Sequence, residues 1–215
     1  MMFYDALHRA MREEAGTALP RWTVDALSEV AEGRSEVAAV GHPLGFVCLP
    51  LERAGQQGVC VHVWSDKLIS ADPTTSATHA HSWDLTSYVL YGTLRNDLVG
   101  VVDAPEEPTH RVFEVCSGAE GDEIRRTPWL VRRRTEVSEL HERGEVYSLP
   151  AGVFHETVPQ GETATLALGR GHPGAVDLTL GSLDTGDHRV RRQRYGGEET
   201  AFAASVVAEK LVQVH

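Results

Sequence analysis

Two kinds of hydrophobic spacing follow one another along this chain. From Met2 to about Ala15, and again from about Thr23 to Ala31, apolar residues recur every three or four positions, with Pro20 and Gly33 as punctuation. That is the period of a helix with one buried face. After Gly33 the spacing shortens to the runs VAAV, GFVCLPL, GVCVHVW, SYVLYGTL, LVGVV, HRVFEVC, WLVRRR, VYSLP, ATLALG, VDLTLGSL and HRVRRQRY, separated by Gly, Pro, Asp and Asn. Short β-branched runs between turn residues predict an antiparallel sandwich or barrel. The segment EETAFAASVVAEKLVQ returns to helical spacing, with acidic residues in its first turn and Lys210 near its end, as the helix dipole prefers. The expected organisation is one domain over 1–215: helices over about 1–33, a β-barrel over 34–196 and a helix over 197–215 packed on its outside. Asp103 to Thr109 and Ser117 to Asp122 read as loops.

Charge narrows the partners. With 20 Lys+Arg against 31 Asp+Glu, the net charge is −11, a field that repels phosphate backbones and anionic lipid. Nucleic acid and membrane are therefore not expected as partners. The run Arg189, Arg191, Arg192 and Arg194 reads as a solvated face rather than an anion site. The three cysteines, Cys48, Cys60 and Cys116, are odd in number and form no C-x-x-C pair, which argues against a disulfide framework or a zinc ribbon. The first residues carry acidic groups where a secretion signal has an apolar core, and no run approaches the length of a membrane span. A reducing cytoplasm is the expected location.

Chemistry concentrates in two stretches. In THAHSWDL, from Thr78 to Leu85, His79 and His81 stand two apart, so on an extended strand both imidazoles share a face. In GEVYSLPAGVFH, from Gly144 to His155, a strand-like run meets Pro-Ala-Gly and then a histidine three residues past the glycine. Here the chain resembles the cupin superfamily. The second cupin motif, G-x5-P-x-G-x2-H-x3-N, is matched at Gly144, Pro150, Gly152 and His155 and departs at Pro159. The first, G-x5-H-x-H-x3-4-E-x6-G, is matched at His79, His81 and Gly92, with Leu85 at the glutamate position. The resemblance covers roughly Phe46 to Gly169, and the 51 residues between Gly92 and Gly144 are long for it, which implies an extra hairpin between about Asp97 and Arg134.

The resemblance implies a cupin barrel, a jelly-roll or double-stranded β-helix, in which His79, His81 and His155 hold one metal ion. Three imidazoles without a carboxylate suit Fe(II) as well as Zn, Ni or Cu. Among three-histidine cupins the chain resembles the thiol dioxygenases, through VLYGTL in particular, and a group of small bacterial tailoring cupins. That implies Fe(II)- and O2-dependent oxidation of a small amino acid or thiol, cysteine or a derivative, in natural-product biosynthesis for some of the group. A non-oxidative isomerase, epimerase, dehydratase or lyase is the alternative, followed by a module that only binds a small ligand. Further candidates come from alternation. Cys60, His62 and Trp64 share one face, with His62 and Trp64 as substrate contacts and core packing as the plainer reading of Trp64. Ser87, Val89 and Tyr91 share the face of the missing glutamate, which nominates Tyr91, beside Tyr88 and Tyr147, as an acid or donor near oxygen. Asp84 is a catalytic candidate; a bulge could swing it to the metal, but parity places it on the other face, which favours a role in supporting a ligand or meeting substrate. Arg170 is a candidate partner for a substrate carboxylate or else a surface charge. A homodimer through sheet edges fits such a barrel, and the sequence does not decide it.

Overall fold

The computed structural model describes residues 3–13, 18–69, 75–118 and 121–213. Its helices and strands, in chain order, are α1 (Phe3–Arg12), α2 (Ala18–Ala31), β1 (Val40–His42), β2 (Phe46–Ala54), β3 (Gln57–Trp64), β4 (His79–Ala80), β5 (Trp83–Tyr91), β6 (Thr93–Asp103), β7 (His110–Gly118), β8 (Gly121–Glu142), β9 (Val146–Leu149), β10 (His155–Pro159), β11 (Thr163–Gly171), β12 (Asp177–Gly181), β13 (His188–Val190), β14 (Gln193–Arg194) and α3 (Gly197–Gln213). Every strand pairing is antiparallel, in two sheets ordered β14-β1-β2-β3-β11-β5-β9 and β13-β8-β6-β10-β4-β12-β7. This is the mainly-β two-sheet barrel with helices at both ends that the sequence predicts.

Alternation decides which side of the first sheet meets what. Val47 and Leu49 of β2, Val59, Val61 and Val63 of β3, and Leu166 and Leu168 of β11 are buried in one cluster with Leu7, Leu19 and Leu27 of the first two helices and Ala204, Val207 and Leu211 of α3. The helices therefore cover the outer face, and each leucine so buried contributes about 1.5–3 kcal/mol. The residues between them, Phe46, Cys48 and Pro50 on β2 and Cys60, His62 and Trp64 on β3, line an internal cavity.

Two departures from the sequence reading have local causes. Helix α2 begins at Ala18, so Pro20 stands inside its first turn rather than before it. The missing N–H costs nothing there, because first-turn N–H groups have no helical partner. The expected loop from Ser117 to Asp122 is the end of β7 and the start of β8, with residues 119 and 120 outside the described set. The expected extra hairpin is present: β8 runs for 22 residues, pairing with β7 along its first part and with β6 along the rest. Among the described residues no helix is long and apolar enough to cross a membrane.

Candidate metal centre and its cavity

Strand pairing assembles the histidine group. On the second sheet, His155 of β10 is the direct cross-strand partner of His79 on β4, and His81 follows two residues after His79. The three rings meet, with centroids 4.3 Å apart for His79 and His155, 4.7 Å for His79 and His81, and 5.1 Å for His81 and His155. Their ligand nitrogens all lie within 4.8 Å of one another.

The turn before His155 is tied to the first stretch. Gly152, at φ +79°, holds a conformation that side chains other than hydrogen rarely adopt. Its N–H donates to the His81 carbonyl at 2.8 Å, so the two motifs are joined through the backbone. Gly92, at φ +78°, is fixed for a second reason: a Cβ there would stand 2.3 Å from the Glu162 carbonyl oxygen.

Hydrogen bonds then select the tautomer. His79 Nδ1 lies 2.8 Å from the Ala77 carbonyl oxygen and His155 Nδ1 lies 3.1 Å from that of Val153. A carbonyl only accepts, so both Nδ1 atoms carry the proton and both Nε2 atoms present a lone pair. Nε2 of His79 and of His81 are 3.3 Å apart, so both face one space. Burial holds all three imidazoles below their ordinary range, His79 at about 4, His155 at about 3 and His81 well down. They are neutral near pH 7, the form that ligates a metal. The His81 ring is set by stacking on Trp83 at 4.0 Å.

The group opens into a cavity of about 880 Å³ between the sheets. Two of its acids are already engaged: Asp177 accepts from the Ser82 N–H at 2.6 Å and Asp122 from Arg192 Nε at 2.7 Å. Neither joins the histidines. Leu85, the residue at the glutamate position, lines the wall. A neutral, nitrogen-only donor set of this kind fits Fe(II), Ni, Cu or Zn better than Mg or Ca.

The remaining candidates divide. His62 and Trp64 line the cavity, where Phe46 lies against both, at 4.5 Å and 5.2 Å between ring centroids. Asp84, Tyr91 and Arg170 do not line it. Asp84 follows strand parity to the outer side, where its side chain is 46% exposed and accepts from the Ala151 N–H at 2.9 Å and His172 Nε2 at 2.8 Å. Those bonds, the backbone one foremost, hold its carboxyl below the usual range. Tyr91 is turned outward by a bulge: Thr165 pairs with Val89 while Ala164 pairs with Tyr91, so Leu90 is an extra residue and the parity beyond it inverts. Its ring lies in the helix-covered core with Lys210 over it, and burial raises its pKa. Arg170 sits on the outer face over the Tyr4 ring, at 5.6 Å.

Of the three tyrosines nominated from the sequence, Tyr147 reaches the cavity and Tyr88 and Tyr91 do not. Other lining residues escaped the sequence reading. His42 of β1 also faces in, stacked on Phe46 at 4.4 Å, and burial holds its pKa down. Cys48 belongs here too, and the alternation of Phe46, Cys48 and Pro50 with Val47 and Leu49 was the signal for it. Arg191 and Arg194 are exposed, as a solvated face requires, and with Arg192 and exposed Arg53 they stand at the rim of the cavity.

No protein-family model and no curated protein matches the chain. Solved structures do. A cupin-2 domain protein from Shewanella frigidimarina is 12% identical over 56% of this chain and 76% of its own, with a TM-score of 0.33. An RmlC-like cupin from the same organism is 13% identical over 65% and 87%, with a TM-score of 0.36. HEPD of Streptomyces albus, bound to 2-hydroxyethylphosphonate and Fe(II), is 11% identical over 65% of this chain and 25% of that one, with a TM-score of 0.37. Likenesses this distant leave the case to the topology and the two motifs, which agree on a cupin-type barrel whose His79, His81 and His155 can hold a metal ion.

Proposed function

We propose that this chain is a metal-dependent cupin oxygenase that holds Fe(II) on His79, His81 and His155 and oxidises a small amino acid or thiol, cysteine or a derivative. The observation that carries this reading is the convergence of three neutral imidazoles, two with Nδ1 pinned to backbone carbonyls, inside a cavity large enough for such a substrate. Three protein ligands leave coordination positions for substrate and dioxygen. Bound Fe(II) would supply the activation of O2; the rest falls to the protein. Leu85, Trp83 and Phe46 make the walls apolar and limit water, and Tyr147 offers a phenol within the lining. Arg53, Arg191, Arg192 and Arg194 gather positive charge in the lining of an otherwise acidic protein, which suits a substrate with a carboxylate.

The test is the metal content of protein purified without oxygen, beside His155→Ala made the same way. Stoichiometric iron that is lost in the variant, with O2 uptake on adding cysteine or a related thiol, is the expected result. Activity that survives strict anaerobiosis with zinc or nickel in place of iron would turn the reading to the non-oxidative enzyme. No iron bound by the histidines even after reconstitution would leave the ligand-binding module.

A further inference from the structure

A second group of ligand atoms faces the same cavity from the opposite sheet. Cys48 of β2 and Cys60 and His62 of β3 have their sulfurs and a ring nitrogen all within 4.8 Å of one another. The local structure accounts for this closeness. Cys48 is the cross-strand partner of His62, and Cys60 stands two residues before His62 on the same face, so the three side chains form a triangle on one antiparallel ribbon. Phe46 and Trp64 flank the imidazole, with ring centroids 4.5 and 6.3 Å from it.

Both cysteines are free thiols, half-buried, and they line the cavity rather than the helix-covered core. A lone inward cysteine is ordinary barrel filling. Two thiols and an imidazole brought to one point are a different matter. At about 2.3 Å for Zn–S and about 2.0 Å for Zn–N, one tetrahedral ion needs its donors roughly 3.5–3.8 Å apart, within reach of this triangle. The donors are soft and include no carboxylate, which selects zinc-like ions over magnesium or calcium.

We propose that Cys48, Cys60 and His62 form a second metal site, for zinc or a similar soft divalent ion, with its fourth position open to the cavity shared with the three histidines. The open position distinguishes it from a closed structural zinc site and places a second cation where a substrate carboxylate or thiolate entering the cavity meets it. Binding releases the thiol protons to solvent and leaves the chain's redox state unchanged. The proposal does not depend on which metal the three histidines hold or on oxygenase activity.

Cobalt(II) separates the two sites, because thiolate ligation gives a sulfur-to-cobalt charge-transfer band in the near ultraviolet and histidine ligation does not. The full chain, reduced and metal-free, is titrated with Co(II) beside His155→Ala and the double variant Cys48→Ser, Cys60→Ser. The expected result is a charge-transfer band in the wild type that His155→Ala retains and the double serine variant loses, with one cobalt per chain lost in each variant. Absence of the band from both the wild type and His155→Ala overturns the proposal, whatever the histidines bind. Because absence of the band from the wild type overturns the proposal without reference to the serine variant, poor folding of that variant leaves the proposal falsifiable.

Discussion

A histidine whose Nδ1–H is given to a carbonyl can do only one thing with its other nitrogen, and His79 and His155 both make that commitment before any metal arrives. The carbonyl that fixes His155 belongs to Val153, in the turn that Gly152 shapes and that Asp84 holds by accepting from the Ala151 N–H. Asp84 thus reaches that turn and not the cavity, so the role expected of it is to position His155. Asp84→Ala is expected to weaken metal binding about tenfold, as loss of outlying support for a metal ligand does. Competition with a chelator reads the affinity and a urea titration reads stability. Lower stability with unchanged affinity would make Asp84 a fold residue only. At this scale the histidines were legible because their spacing is fixed by a strand and a glycine turn. Tyr91 was not, because its direction depends on a bulge opposite Thr165, and a single extra residue reverses parity without leaving a mark in composition.

The elements themselves were legible as short runs between turn residues, and the alternation on β3 placed His62 and Trp64 on the cavity side. What alternation could not supply was which strands would be neighbours. The arginines before α3 reach the cavity because β14 pairs with β1 and β13 with β8, contacts between distant segments. Helix α3 is held to the barrel by a polar tether as well as by Ala204, Val207 and Leu211: Glu162 accepts from Lys210 and from Ser65, the latter at 3.0 Å. The Lys210 hydrogen bond, with Ser65 second, keeps the Glu162 carboxyl below its ordinary range. A carboxylate whose folded pKa is lowered adds stability above its unfolded value of about 4.3, and that stability is lost as pH falls through the folded value. The pair is partly exposed, so the effect is a few tenths of a kcal/mol to about 1 kcal/mol. Glu162→Gln is expected to lose that amount at neutral pH and to match the wild type at acid pH, measured as urea midpoints across pH 3–7.

On the scale of the whole molecule, an overall charge of −11 and a cavity lined by Arg53, Arg191, Arg192 and Arg194 pull in opposite directions on an anion. The local field is the nearer one, and Arg192 is held in place by Asp122 and by Ser117 at 3.1 Å. For a carboxylate substrate, kcat/KM should therefore fall as salt shortens the Debye length to about 8 Å and below. Arg192→Ala should raise KM more than it lowers kcat. A salt response that rises instead would mean that the acidic exterior governs encounter.

The long strand β8 has a consequence in time. It pairs with β7 along its first part and with β6 along the rest, so these three strands form a unit whose contacts are nearer in sequence than those between β3 and β11. By contrast, β3 must find β11, with Gln57 meeting Arg170. Closing the longer loop costs more entropy, so the β6–β8–β7 unit is expected to form first and the β3–β11 seam later. Pulse-labelled amide exchange during refolding should protect Val131 and Val137 before Val61 and Leu166. His79 precedes this unit in the chain and His155 follows it, so the three histidines are expected to come together only after it has formed. A metal ion bound there would act as a lock on a barrel already shaped, and should slow unfolding far more than it speeds folding.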